Sequence, residues 1–157
     1  MSTPIDSRGT ILVEHILEAA RKRLAKLKQD SLVCDAAAIL VNPDTPLIVV
    51  CDEGGLAVGV ITRSDVVKVL TRSHADALDT SAEAMMTRGV LSFQAQQPLQ
   101  QAWEALNARS LRCAPILDAD GRPQGILHAR DLATALLDEV TYEELLLRDY
   151  VLGIGYQ

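Results

Sequence analysis

Val50-Cys51-Asp52-Glu53-Gly54-Gly55, continuing through Gly59-Val60-Ile61-Thr62-Arg63-Ser64-Asp65, decides the fold because the chain contains this stretch twice. The second copy reads Ile116-Leu117-Asp118-Ala119-Asp120-Gly121 and then Gly125-Ile126-Leu127-His128-Ala129-Arg130-Asp131. Every pair is 66 positions apart without a gap, and Asp52, Gly55, Gly59 and Asp65 recur as identical residues. The offset carries upstream through Leu27 and Phe93, Ala36 and Ala102, and Leu40 and Leu106, and downstream to Leu70 and Leu136. Self-similarity at one fixed spacing means one structural unit used twice.

Each copy has a physical reading. Leu47 to Cys51 is wholly apolar and ends in a turn cluster, which predicts a buried strand entering a hairpin. Leu56 to Ile61 is the returning strand, and Gly59 within it marks a bulge or a close approach by another group. Thr62-Arg63-Ser64-Asp65 then opens a helix carrying Val66, Val67, Val69 and Leu70. Upstream, Asp30-Ser31 is expected to cap a helix from Leu32 to Val41. Pro98 opens its counterpart in the second copy. Periodicity alone makes Ile11 to Leu27 one amphipathic helix. The repeat instead sets Leu24 to Leu27 opposite Val90-Leu91-Ser92-Phe93, a strand pattern, so the helix is expected to end near Arg21 to Arg23. Each copy thus reads strand, helix, strand, strand, helix. A unit of this α/β (α+β) kind leaves a sheet face bare, so the two copies should pack face to face.

The bulk properties bound the function. Of the 157 residues 48% are apolar, yet only one Trp, one Phe and three Tyr are aromatic, so the core is aliphatic. A chain of this size buries roughly two-thirds of its unfolded surface, enough for such a core. The net charge of −6 opposes phosphate-backbone binding, and nucleic acid is not expected as a partner. The densest basic cluster, Arg21-Lys22-Arg23 with Lys26 and Lys28, reads as a solvated helix face. No apolar run reaches the length of a membrane span and the N-terminus lacks a hydrophobic signal core, so no membrane association is expected. Cys34, Cys51 and Cys113 have no metal-ligand spacing, and the latter two fall in apolar runs where Cys acts as a small hydrophobe. A cytoplasmic location is expected. Neither a catalytic motif nor a metal site is found. Gly54 to Gly59 lacks dinucleotide-loop spacing, and Trp103, spaced with Leu99 and Leu106, reads as core. Met85 and Met86 are expected to pack in the central cleft, and His15 and His74 on surfaces.

With these residues placed, the chain resembles a tandem pair of CBS domains, a Bateman module of the stand-alone bacterial type. The resemblance rests on Asp-x-x-Gly at each hairpin turn, on the Gly, two apolar residues and Asp that lead into each following helix, on Ala84-Met85-Met86-Thr87, and on Ala114-Pro115-Ile116-Leu117. It covers roughly residues 10 to 138, divided as repeat 1 over 10–72 and repeat 2 over 73–138. It implies two modules related by a pseudo-twofold axis through their sheets. It also implies two clefts between them that take adenosine-containing ligands such as AMP, ADP, ATP, S-adenosylmethionine or NADH. The implied role is regulatory, not catalytic, with no required cofactor. A homodimer and a protein partner of unknown identity are expected; with no effector domain attached, any output would pass between molecules. The competing reading is a scaffold that dimerises without a ligand.

In the first copy Thr62 and Asp65 match the family's ligand motif. A carboxylate at Asp65 can accept hydrogen bonds from both ribose hydroxyls, and Thr62, Arg63 and Ser64 start a helix whose free N–H groups and dipole favour phosphate. Leu47 and Ile48 would line the adenine slot. The alternative is that Asp65 only caps its own helix. In the second copy His128 replaces Thr62 and Arg130 replaces Ser64, while Asp131 is kept; Ala114 is counted with these ligand-binding positions. His128 either meets a phosphate, making that site pH-sensitive, or packs on the cleft wall and leaves the site weak or empty. Arg130, with its bidentate fork, is the better phosphate partner.

Residues 139–157 have no partner in the repeat. Val140 to Tyr150 reads as a helix, and the apolar end from Tyr150 to Gln157 is expected to dock across a homodimer.

Overall fold

The apolar run predicted as a strand is β2 (Ile48–Cys51), and all four of its residues are buried. The computed structural model describes residues 9–72 and 76–138. The C-terminal helix and dimer-docking tail expected over 139–157 lie outside the described residues, as does His74. In the first repeat, β1 (Lys26–Lys28) runs parallel to β2, which pairs antiparallel with β3 (Ala57–Ile61). The second repeat forms the hairpin β4 (Cys113–Leu117) and β5 (Pro123–His128). The helices are α1 (Leu17–Lys22), led by a 3-10 turn at Val13–Ile16, then α2 (Val33–Leu40), α3 (Arg63–Arg72), α4 (Ala82–Met85) and α5 (Leu99–Ala108). A sixth, α6, occupies 129–138.

The 66-residue offset holds atom by atom at the hairpins. Val50 faces Gly59 and Ile116 faces Gly125, with a register shift one residue later in both copies. Asp52 Oδ1 accepts the N–H groups of Gly54 and Leu56, and Asp118 Oδ1 accepts those of Asp120 and Arg122. The repeated Asp is there because its short carboxylate closes the turn on its own backbone.

Two prolines break the symmetry by removing a donor. In repeat 1, Val49 N–H donates to Ala25 O at 2.8 Å and extends the parallel pairing of β1. The counterpart of Val49 is Pro115, which has no N–H. The strand expected over Val90 to Phe93 is accordingly reduced to one parallel bridge between Phe93 and Ile116. Likewise Ala57 N–H donates to Gly121 O across the repeats at 2.9 Å, while its counterpart is Pro123. On that side Arg122 Nη1 donates to Gly54 O at 2.7 Å instead.

Each repeat's leading helix is buried in the other repeat. Val13, Ile16, Leu17 and Ala20 belong to one core with Phe93, Leu99, Ile116, Leu127 and Leu132, and Trp103 packs against it. Ala82 and Met85 belong to the other core with Val33, Leu40, Ile48, Ile61 and Val66. Met85 therefore sits in the first repeat's own core and not in the central cleft. Between the sheets lies a third cluster of Leu47, Val49, Cys51, Val60 and Ile126. Fully burying a side chain of this kind contributes about 1.5–3 kcal/mol, so the exchange fastens each repeat to its neighbour.

The exchange requires glycine at one position per repeat. A Cβ on Gly125 would lie 2.8 Å from the backbone carbon of Ala20 and 3.0 Å from its oxygen. A Cβ on Gly59 would lie 2.6 Å from Met86 Sδ and 2.9 Å from Thr87 O. The close approach read from Gly59 is thus made by the linker ahead of repeat 2.

One local expectation needs correction. The helix after β1 is capped not by Asp30-Ser31 but from its third position, where Asp35 Oδ2 accepts Leu32 N–H at 3.2 Å. Ser31 is occupied otherwise, its carbonyl accepting Ala82 N–H. The N-terminal helix does end at Lys22, as the repeat requires.

Gly125→Ala should destabilise the fold by about 1–3 kcal/mol, the usual cost of overpacking. Gly59→Ala should destabilise it too, and by less, since Met86 can move and only the Thr87 backbone oxygen at 2.9 Å cannot, whereas Gly125 meets both the backbone carbon and oxygen of Ala20. Thermal unfolding of both variants checks the order; equal midpoints with the native chain would mean the helix–strand approach is not tight.

Candidate ligand clefts

The second cleft is built where repeat 2's strand-to-helix junction meets repeat 1. A cavity of about 390 Å³ is lined by Lys22 and Arg23, by Asn42 to Pro46, and by His128 and Arg130. β5 delivers His128 and α6 begins at the next residue, so Arg130 stands in its first turn. The 42–46 loop is held from behind. Arg63 Nη2 donates to Asn42 O at 2.7 Å and Thr45 O at 3.0 Å, and Asn42 Oδ1 accepts Asp44 N–H. Three cations thus border one concavity with a single acidic side chain, Asp44, on its loop wall.

His128 Nδ1 accepts Arg130 N–H at 3.0 Å. An acceptor at Nδ1 requires the neutral ring with its proton on Nε2. Burial, then the guanidinium groups of Arg23 and Arg130, pushes His128 below the ordinary imidazole value, with Asp131 opposing. The ring therefore caps α6, as Thr62 and Asp65 together close the start of α3.

In the first cleft, Asp65 Oδ2 accepts Thr62 N–H at 2.8 Å and Thr62 Oγ1–H at 3.1 Å. Its Oδ1 faces Thr87 Oγ1 at 3.4 Å. The helix-capping role weighed for Asp65 is thus present, and the side chain is buried. Ser64 and Arg63 are exposed, with Arg63 reaching the second cleft's loop. Asp131 takes a different partner, a two-pronged ion pair with Arg23, Nη2 to Oδ1 being 3.0 Å.

The structure brings His128 and Arg130 together at one cavity, with Asp131 beside them through Arg23. Thr62 and Asp65 sit together at the other junction. Leu47, Ile48 and Ala114 are buried in the cores, and none lines this cavity. Sequence reasoning missed Lys22 and Arg23, read as a solvated face, and the 42–46 loop. The available signal was position: Arg23 stands three residues ahead of β1, as Gly89 stands three residues ahead of the matching segment of repeat 2. A wider groove of about 620 Å³ runs between α1 and α6.

Among the described residues no cluster of three or more His, Cys, Asp or Glu could hold a metal, and no helix is long and apolar enough to cross a membrane. Burial pushes the Cys113 thiol up to about 11 and raises Cys51 as well, so neither offers a thiolate near neutral pH.

A duplicated unit whose two halves exchange their leading helices defines a tandem two-repeat module. The chain belongs to the CBS domain family, whose model matches residues 13–72 and 82–138. It is 29% identical over 128 residues to an uncharacterised 17.7 kDa protein of Acidianus ambivalens, covering 82% of this chain and 76% of that one. It is 28% identical over 136 residues to the arabinose 5-phosphate isomerase GutQ of Salmonella typhi, covering 85% of this chain but only 42% of the isomerase. Among solved structures, CBSX2 in complex with AMP is similar with a TM-score of 0.65 and 26% identity, covering 76% of this chain and 91% of that one. The CBS domain pair of MJ0100, in complex with 5′-methylthioadenosine and S-adenosyl-L-methionine, shares the fold with a TM-score of 0.68 at 23% identity, over 83% and 98% of the two chains.

Because His128 is held neutral in the fold, the unfolded chain takes its proton first on acidification. The associated stability is fully present above about pH 6.5 and is lost as pH falls from there towards the lowered folded value. His128→Gln keeps an acceptor but does not titrate, so its stability should fall less between pH 7 and 5. Urea midpoints across that range test this; parallel curves would refute it.

Proposed function

We propose that this chain is a regulatory module that binds an adenine nucleotide between its CBS repeats and signals to a protein partner, without catalysis. The observation that carries the reading is the second cleft, where Lys22, Arg23 and Arg130 border one cavity beside the carboxylate of Asp131. Cations at a helix start suit phosphate, and a neighbouring carboxylate suits ribose hydroxyls. CBSX2, 26% identical, holds AMP in its solved structure, which supports the same ligand class here. ADP, ATP, NADH and S-adenosylmethionine remain in the candidate set. Thr62, Ser64 and Asp65 would serve the first cleft, and His128, Arg130 and Asp131 the second. A cytoplasmic homodimer is the expected form.

One observation favours the rival, a ligand-free scaffold: Asp65 and Asp131 are both already engaged inside the protein. A thermal-unfolding screen against the five compounds separates the two. A ligand at about 100 times its Kd adds roughly 2.7 kcal/mol, and each kcal/mol moves the midpoint of a chain this size by about 2–4 °C. We expect a clear shift with at least one phosphate-bearing compound, and Asp65→Asn to weaken the first cleft by about 1.5–3 kcal/mol while preserving a cap acceptor. No shift with any compound, in protein freed of ligand carried through purification, would leave the scaffold.

A further inference from the structure

The clefts differ at one pair of equivalent positions. Ahead of repeat 1's sheet stands Arg23; 66 positions on, ahead of repeat 2's matching segment, stands Gly89. Arg23 reaches into repeat 2 and holds both carboxylate oxygens of Asp131. Around Gly89 nothing lies within 4 Å of where a Cβ would be, and the nearest side chain to Asp65 from that segment is the uncharged Thr87. The side chains of Arg23 and Asp131 are 24% and 18% exposed, so the pair is partly shielded from water and worth more than a surface pair.

The two aspartates are engaged differently. Asp65 accepts the N–H of Thr62 at its own helix start, whereas at α6 His128 Nδ1 accepts the N–H of Arg130 and the Asp131 carboxylate accepts Arg23.

We propose that Arg23 is a specificity-determining latch that restricts the second cleft to nucleotides carrying phosphate and excludes the uncharged nucleoside. For a ribose to use Asp131, Arg23 must leave it. Stranding a guanidinium in a half-buried cavity that already contains Lys22 and Arg130 is unfavourable. A phosphate gives Arg23 a new anionic partner at the moment it is displaced, and adenosine does not. The first cleft has Gly89 in this place and no such latch. The inference rests on the nucleotide-binding reading and deepens it.

The test is calorimetric titration of the full chain with adenosine and with ADP. Asp65→Asn confines attention to the second cleft. In that background the second cleft should take ADP and not adenosine. Adding Arg23→Gln, which removes the charge and leaves a shorter polar side chain, should improve adenosine binding by about tenfold, the scale of one charge-assisted contact, and weaken ADP. Arg23→Gly, copying the first cleft, should act in the same direction, and adding Asp131→Asn should remove the gain. Circular dichroism and unfolding midpoints establish that each variant is folded. ADP binding with adenosine affinity indifferent to Arg23 would overturn the latch and leave the nucleotide reading standing. No adenine compound binding to the native chain, nor to Arg23→Gln, would overturn both.

Discussion

The approach of each repeat's leading segment to a strand that has no side chain at the contact point underlies everything else in this molecule. Ala20 rests on Gly125, and Met86 and Thr87 rest on Gly59. Both contacts run from the leading segment of one repeat to the returning strand of the other. They allow Val13, Ile16 and Leu17 to complete a core otherwise built from repeat 2, and Ala82 and Met85 to complete that of repeat 1. An isolated repeat would lack a wall of its own core. The two repeats therefore complete one another's cores, and the second cleft lies at their junction.

Within that shared frame the asymmetries are chemical and few. Pro115 and Pro123 each delete a backbone donor that repeat 1 possesses, shortening one strand and handing a cross-hairpin contact to Arg122. His128 replaces a hydroxyl with a ring that caps through nitrogen, and Arg23 replaces a glycine with a cation. Pro115 is itself buried within β4, whereas Pro123, His128 and Arg23 are only partly buried, so most of these changes fall at the edge of the packed interior. Duplication followed by substitution thus yields two strand-to-helix junctions with different side-chain chemistry, Thr62 with Asp65 at one and His128, Arg130 and Asp131 with Arg23 at the other.

The sequence made the repeat legible because strand pairing follows local pattern. Leu27 opposite Val50 and Phe93 opposite Ile116 obey the offset, as do the Asp-closed hairpins. The exchange of leading helices was not legible: Ala20 and Met86 share the offset but differ in size, and periodicity shows that a helix has an apolar face without showing what it faces. The Arg23–Asp131 pair joins residues 108 apart, and a basic residue at a helix end reads as solvated unless its partner is known. Leu47 and Ile48 were placed in an adenine slot by resemblance, yet strand alternation sends Ile48 into the repeat's own core and Leu47 between the sheets. The capping of α2 failed for a smaller reason, since Asp35 at the third position competes with Ser31 and only geometry decides between them.

Arg63 gives the frame one more property. It belongs to the first turn of α3, beside Thr62 and Asp65, and its guanidinium grips the carbonyls of Asn42 and Thr45 in the loop that walls the second cleft. The two clefts therefore share a structural member even though their lining residues are separate. A ligand shifts a protein only through unequal affinity for two arrangements of its parts. The Arg23 side chain, the 42–46 loop and the Arg63 tie all lie outside the glycine-sealed core. The rigid interior restricts the choice of arrangements to those rims, which is where a bound anion would act.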